Sequence, residues 1–92
     1  MFNKLKQFKD LRNQAKTMQN ALAGEKVTAE KQGVTIEMNG NMEVLSLVIK
    51  QDLPKEQLAN ICRDVFNDAV KKTQRVMAKK MQEMGGLSNL GL

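Results

Sequence analysis

Residues 34–49 read VTIEMNGNMEVLSLVI, and this stretch predicts a β-hairpin. In its first part, apolar residues alternate with Thr35 and Glu37, which is typical of a strand with one buried face. Asn39-Gly40-Asn41 predicts the turn, because Asn and Gly tolerate a positive φ. In the second part, Val44–Ile49, apolar residues point to both sides. Such a strand needs cover on both of its faces.

Two further segments precede this hairpin. Lys26–Glu30 predicts a weaker strand that joins the hairpin across Gln32-Gly33. Upstream, apolar residues recur at helical spacing, so we expect a helix over about 3–22 that ends at Gly24. The apolar side of this helix consists of Phe8, Leu11, Ala15, Met18 and Leu22.

The last predicted element is a long helix. Asp52 is a candidate N-cap, Pro54 suits the first turn, and no residue interrupts the helix before Gly85-Gly86. A helix over 54–84 would measure about 46 Å, whereas a compact domain of this length has a radius of only about 12–13 Å. We therefore expect its C-terminal half to project beyond the sheet. Its predicted apolar stripe is Leu58, Cys62, Phe66, Ala69, Val70, Thr73, Met77, Met81 and Met84.

The predicted order is α-β-β-β-α, an α+β domain over residues 1–86 with a small antiparallel sheet, followed by a short flexible tail at 87–92. Three strands and two helices do not readily cover both faces of a sheet. A lone domain of this size is also marginal, because it buries only about 60% of its unfolded surface. We therefore predict an obligate homodimer, with the second sheet face as the candidate contact. The residues assigned to the interface are Val44, Leu45, Leu47, Ile49, Met77 and Met81.

The positive charge lies at the two ends of the chain. The net charge is +5; residues 1–22 hold five bases and one acid, residues 54–92 hold seven bases and four acids, and the middle of the chain is acidic. This uneven distribution favours an anionic partner without identifying it.

On each predicted helix, bases project to one side, away from the apolar stripe. From the residues alone, the commoner interpretation is a solvated face with local ion pairs, such as Asp68 with Lys72. Contact with nucleic acid is the alternative, since such pairs are worth only about 0.3–0.5 kcal/mol and leave the charge available to a polyanion. The candidate DNA-contacting residues are Lys6, Lys9, Arg12, Lys16, Lys71, Lys72, Arg75, Lys79 and Lys80.

Several functions are disfavoured. The chain has no histidine and one cysteine, Cys62, so we expect no internal disulfide, no metal site and no cofactor. No catalytic motif is present, and no small-molecule substrate is expected. No apolar run approaches the roughly 20 residues of a membrane span, and no secretory signal is found, so a cytoplasmic location is expected. The only aromatic residues are three phenylalanines, which disfavours base stacking on single strands and favours phosphate contacts.

Four blocks of the chain carry a family resemblance. The first is the predicted strand pair, residues 34–40 with Val44 and Ile49, and the second is the FNDA block within Val65–Lys72 of the second helix. The third is the C-terminal ending, Lys79-Lys80-Met81 with Gly85-Gly86-Leu87, and the fourth is Phe2 with residues 14–19 of the first helix. Together they resemble the YbaB/EbfC family over about residues 2–87, and the FNDA block is the most specific of them. The resemblance implies an intertwined dimer of α-β-β-β-α protomers with projecting helices, which binds duplex DNA and associates with the nucleoid. The chain lacks the Gly-rich start of many members, and its C-terminal tail is short.

We therefore predict a non-enzymatic, dimeric bacterial protein that binds double-stranded DNA through basic helix surfaces and acts in nucleoid organisation or gene regulation. The first alternative is a protein-interaction scaffold associated with replication or repair machinery, in which the charges only confer solubility and Met-rich helix ends bind a partner. The second alternative is an amphipathic module on a membrane surface. It is disfavoured because the apolar stripes have few bulky aromatic anchors.

Overall fold

The computed structural model describes residues 3–83. The chain forms helix α1 (Asn3–Ala23), strands β1 (Lys26–Lys31), β2 (Val34–Asn39) and β3 (Val44–Ile49), and helix α2 (Lys55–Glu83). The strands form one antiparallel sheet in the order β1-β2-β3. The predicted order of elements is thus confirmed. The predicted tail at 87–92 lies outside the described residues, as does the predicted helix end at Gly85-Gly86.

The turns and helix ends follow local chemistry. Gln32 and Gly33 adopt positive φ angles of 48° and 84°, which suits a two-residue hairpin turn. The β2–β3 turn is longer and contains Met42 at a φ of 64°, and a bulge follows at Leu45. The first intrahelical bond of α2 is accepted by the carbonyl of Pro54, which makes this residue, rather than Asp52, the N-cap.

The core lies between α2 and one face of the sheet. The core residues of β2 are two positions apart, and those of α2 are four positions apart, so each set lies on one side of its strand or helix. No residue of β3 belongs to this cluster, because α2 packs on β1 and β2. The cluster consists of Ala29, Val34, Ile36, Met38, Ile61, Val65 and Ala69.

The buried side of α2 differs from the predicted stripe. Phe66 and Met81, which the sequence places in this stripe, are exposed. Leu58, Cys62 and Val70 are half-buried at its border. The prediction for Phe66 is wrong because apolar residues cover a wide arc of α2, whereas the two strands beneath it cover only part of that arc. The buried row is Ile61, Val65, Ala69 and Thr73.

Helix α1 stands away from the sheet. Lys72 of α2 donates to the carbonyl of Thr28 in β1, and Lys80 pairs with Glu25 just before β1. The last buried residue of α2 is Thr73, so the turns that follow it lie beyond the core, with Lys80 tying them to the segment before β1. In α1, every residue from 4 to 17 is exposed. The radius of gyration is 17.9 Å, against about 12–13 Å for a compact domain of this length.

The face of the sheet turned away from α2 is mostly polar. By the strand register, this face carries Lys26, Thr28, Glu30, Thr35, Glu37 and Ser46, with Val48 as an exposed apolar residue among them. This polarity disfavours the second sheet face as an apolar contact. The uncovered apolar side chains Val44, Leu47 and Ile49 lie on the same side as α2, since they pair with buried residues of β2.

Candidate nucleic-acid interface

Three bases of α2 form an exposed arc on its β1 side. Lys71, Arg75 and Lys79 are exposed, and at about 100° per residue they project within about 80° of one another. Within residues 3–83, no acid lies within salt-bridge distance of these three bases. The arc lies beside the buried row rather than opposite it, and its charges point to solvent. We call these three residues the basic arc.

Two other predicted contacts of α2 are directed at protein acceptors. The ammonium of Lys72 lies 2.9 Å from the Thr28 carbonyl and 3.5 Å from Asp68. The ammonium of Lys80 lies 2.9 Å from Glu25 and 3.8 Å from Glu83. The hydrogen bond that Lys80 donates to the Glu25 carboxylate raises the pKa of Lys80, and the nearby charge of Glu83 adds to this effect. The structure therefore does not group Lys72 and Lys80 with the free charges of the basic arc.

The predicted bases of α1 are all exposed. None of them is ion-paired with another described residue. The neighbouring apolar side of α1 is also uncovered in the protomer: Phe8 is 70% and Leu11 57% exposed, and together with Arg12 they line an open depression. The bases are Lys6, Lys9, Arg12 and Lys16.

The polar face of the sheet is weakly acidic. It carries Glu30 and Glu37 against one base, Lys26, and Glu30 accepts a hydrogen bond from the Thr35 hydroxyl at 2.8 Å. Like charges repel, so a polyanion is disfavoured at this face and favoured at the helices. The geometry therefore separates an acidic surface from two basic ones.

A second uncovered surface is apolar and lies on the other side of α2 from the basic arc. On β3, four of the predicted interface residues are exposed: Val44, Leu45, Leu47 and Ile49. On α2, Met77 is half-buried and Met81 exposed. Phe66 projects beside them, within about 60° at helical spacing. We call this surface the β3 strip. Sequence reasoning placed Phe66 in the apolar stripe of α2 but not at the interface; the available signal was that this stripe is wider than two strands can cover.

Sequence reasoning also treated Asn39-Gly40-Asn41 only as a turn. In the structure this turn contacts the end of α1, because the Gly40 N–H donates to the carbonyls of Leu22 and Glu25. Gly24, the predicted helix stop, does not adopt a left-handed conformation. The helix therefore ends against a segment that lies far away in sequence.

The remaining charged cluster, formed by Asp64, Lys31 and Arg63, ties α2 to β1. Asp64 lies 2.8 Å from Lys31 and 3.1 Å from Arg63. The hydrogen bond from Lys31, followed by that from Arg63, lowers the pKa of Asp64 below its usual value. Across residues 3–83, no group of three His, Cys, Asp or Glu side chains is placed to hold a metal ion. No helix of the described chain has the length and apolar character needed to cross a membrane.

Comparison with known proteins agrees with this arrangement of charge. A family model described as the YbaB/EbfC DNA-binding family matches residues 1–88. A protein named a nucleoid-associated protein in Syntrophobacter fumaroxidans is 32% identical, over 99% of this chain and 89% of its own length. Proteins with the same name in Brucella anthropi and Mycoplasmopsis pulmonis are each 33% identical, over 91% and 74% of this chain and 84% and 72% of their own lengths.

Proposed function

The chain belongs to the YbaB/EbfC DNA-binding family, and we propose that it is a nucleoid-associated homodimer that binds duplex DNA through phosphate contacts from α1 and α2. The observation that carries this proposal is the set of seven exposed helix bases without an ion-pair partner among residues 3–83. They are Lys6, Lys9, Arg12, Lys16, Lys71, Arg75 and Lys79. Relatives that carry the name nucleoid-associated protein support the same location for this chain, in the bacterial cytoplasm.

The proposed dimer contact is the β3 strip. A monomeric protein rarely leaves a contiguous apolar patch of this kind in water. The strip and the basic arc lie on opposite sides of α2, so that a partner on the strip leaves Lys71, Arg75 and Lys79 facing solvent. A two-fold axis would then present two equal basic surfaces to DNA.

The apolar side of α1 supports an intertwined arrangement. Phe8 and Leu11 are more than half exposed among the residues that the structure describes, and a helix in water is stabilised mainly by packing of its apolar side. We propose that the second subunit covers this side, which leaves Lys9 and Lys16 outward. This arrangement matches the intertwined dimer that the family resemblance implies.

The proposed mode of binding is electrostatic. The chain has no Trp or Tyr for stacking on bases, whereas Lys and Arg at phosphates position a protein on duplex DNA without reading its sequence. Any preference among sequences would come from DNA shape or from a few base-edge contacts. Lys72 and Lys80 contribute less in this proposal, because their ammonium groups already have protein acceptors.

A fluorescence titration with random and palindromic duplexes at several salt concentrations tests the proposal. If each subunit makes three or four phosphate contacts, log affinity should fall against log salt with a slope of about −5 to −7. A slope near zero, or no binding, would remove DNA from the proposal. The scaffold function would then lead, because the exposed Phe8, Leu11 and Met81 side chains suit a protein partner.

A further inference from the structure

Within residues 3–83, helix α1 is attached to the rest of the protomer near its C-terminal end. Residues 4–17 are exposed, Met18 is half-buried, and Leu22 is the first buried residue of the helix. Within the protomer, the few contacts around residues 19–25 therefore set the direction in which a helix that carries four of the free bases leaves the sheet. In the proposed dimer the partner meets α1 in that direction, so these contacts help to decide where the bases of α1 point.

The β2–β3 turn makes most of these contacts. The Gly40 N–H donates to the Leu22 carbonyl at 2.9 Å and to the Glu25 carbonyl at 3.0 Å. The side-chain amide of Asn41 donates to the Gln19 carbonyl at 2.9 Å. The turn thus supplies donors to carbonyls at and just after the end of α1, and among them the Leu22 carbonyl has no helical N–H four residues on. A side chain at Gly40 would place its Cβ 2.5 Å from the Leu22 carbonyl oxygen, so only glycine permits this approach.

The turn itself is held rigidly. Asn39 is only 4% exposed. Its side-chain oxygen accepts the N–H groups of Asn41 and Glu43 at 2.9 and 3.1 Å, and its amide donates to the Glu43 carboxylate at 2.8 Å. The position of Gly40 and Asn41 is therefore determined by the sheet, and the end of α1 docks on a preformed surface.

An ion pair holds the same junction from the other side. Lys80, in the last turns of α2, lies 2.9 Å from the Glu25 carboxylate. The Glu25 carbonyl is also one of the two acceptors of the Gly40 N–H. One residue between α1 and β1 is thus tied both to the β2–β3 turn and to α2, which carries the basic arc.

We propose that these contacts form an elbow, consisting of residues 19–25, the 39–41 turn and Lys80, that positions the basic side of α1 relative to the basic arc of α2. The inference rests on the proposed function. A polyanion binds most tightly to charges that are already arranged, since binding that must first order an arm is weakened by the fraction of molecules in the wrong arrangement. Gly40, Asn41, Glu25 and Lys80 are then positioning residues that affect DNA affinity without contacting DNA.

The direction of α1 can be followed without DNA. A fluorophore attached at Gln7→Cys in a Cys62→Ala background reports the local motion of α1 by its anisotropy decay. We expect Gly40→Ala and Asn41→Ala to increase this motion. Gly24→Ala is the matched control, because its added Cβ would come no closer than 3.7 Å to the nearest atom. Unchanged motion of α1 in both elbow variants would overturn the elbow. If Gly40→Ala fails to fold, the Asn41→Ala variant alone decides, because Asn41 is only half-buried and its loss should not prevent folding.

The same variants are then titrated with a fluorescent random duplex, with dimerisation checked by sedimentation. Losing one hydrogen bond of ordinary strength corresponds to a fall in affinity of up to about fivefold for Asn41→Ala, and we expect a larger fall for Gly40→Ala. Greater motion of α1 with unaltered affinity would overturn the positioning role. A wild type that binds no DNA would refute the proposed function, while the motion measurement would still decide the elbow.

The ion pair offers a test in which the two interpretations have opposite signs. Simple electrostatics predicts that Glu25→Gln strengthens DNA binding, because an acid is removed and Lys80 is released. The elbow predicts weaker binding, since the junction loses an anchor. Asp10→Asn is the charge-matched control, because Asp10 is an exposed acid of α1 without a described ion pair, and its loss should strengthen binding. If Glu25→Gln strengthens binding as Asp10→Asn does, Lys80 is a phosphate contact and not a positioning residue.

Discussion

Leu47→Asp is expected to break the dimer. Leu47 lies on the α2 side of β3, opposite the buried Ile36, and is 51% exposed in the protomer. In the proposed dimer this exposed half is covered by the partner. The substitution removes the apolar side chain and places a carboxylate in the same apolar surface, once in each subunit.

The magnitude follows from the exposed fraction. Complete burial of a leucine side chain is worth about 1.5–3 kcal/mol, so the exposed half contributes about 0.8–1.5 kcal/mol and the two copies about 1.5–3 kcal/mol. This loss alone weakens the dimer about tenfold to a hundredfold. Burying the new carboxylates costs several kcal/mol more for each ion.

Sedimentation equilibrium and far-UV circular dichroism at micromolar concentration provide the assay. We expect loss of the dimer together with loss of folding, because the buried cluster of the protomer comprises only seven side chains. Val48→Asp is the matched control on the same strand, since Val48 pairs with Thr35 and points to the polar face. A wild type that sediments as a well-folded monomer, or a Leu47→Asp variant that remains dimeric, would refute the reasoning.

Three further outcomes are expected. Arg75→Ala combined with Lys79→Ala removes four proposed phosphate contacts from the dimer, so it should reduce the salt slope of DNA binding by as much as about 3.6 and keep the dimer intact. The charge-matched control, Lys50→Ala with Lys55→Ala, should leave most of the slope. If both double variants had the same slope, the basic arc would be only a solvated surface. Asp64→Asn should lower the free energy of unfolding slightly at neutral pH. Because ion pairing lowers the pKa of Asp64, the difference in urea unfolding between variant and wild type should vanish as the pH falls below 3.8. A difference that persists in acid would show that ion pairing of Asp64 is not its cause. EDTA should change neither circular dichroism nor DNA affinity, and loss of either would reveal a metal.

The strands and turns were predictable because their signals are local. Alternation of apolar and polar residues identifies β2, and Gly33 marks the first hairpin turn, whereas the positive φ expected at Asn39-Gly40-Asn41 is found at Met42 instead. The order of elements follows from such signals without knowledge of tertiary contacts. The family resemblance then added DNA, which charge distribution alone left open among several anionic partners.

The faces of the helices were less predictable because burial depends on what lies opposite. Apolar residues on α2 form one wide arc in sequence, yet the sheet covers the part centred on Val65 and leaves Phe66 exposed. The length of α2 predicted that its C-terminal part extends past the sheet, and its buried row does end at Thr73, but the contact of Lys80 with Glu25 was not visible in the sequence. The second role of Gly40 was also invisible, since its acceptor Leu22 lies in a distant part of the chain.

The contact of Lys72 with β1 has a consequence for the size of the assembly. The outer edge of β1 is the place where another chain could add a strand, and here a lysine amine occupies the Thr28 carbonyl. The edge at β3 carries no such guard in the described protomer, so the sheet has one closed and one open border. If the proposed dimer joined two copies across their β3 edges, the lysine-guarded β1 edges would lie outside, which would disfavour further strand addition and growth into a fibre.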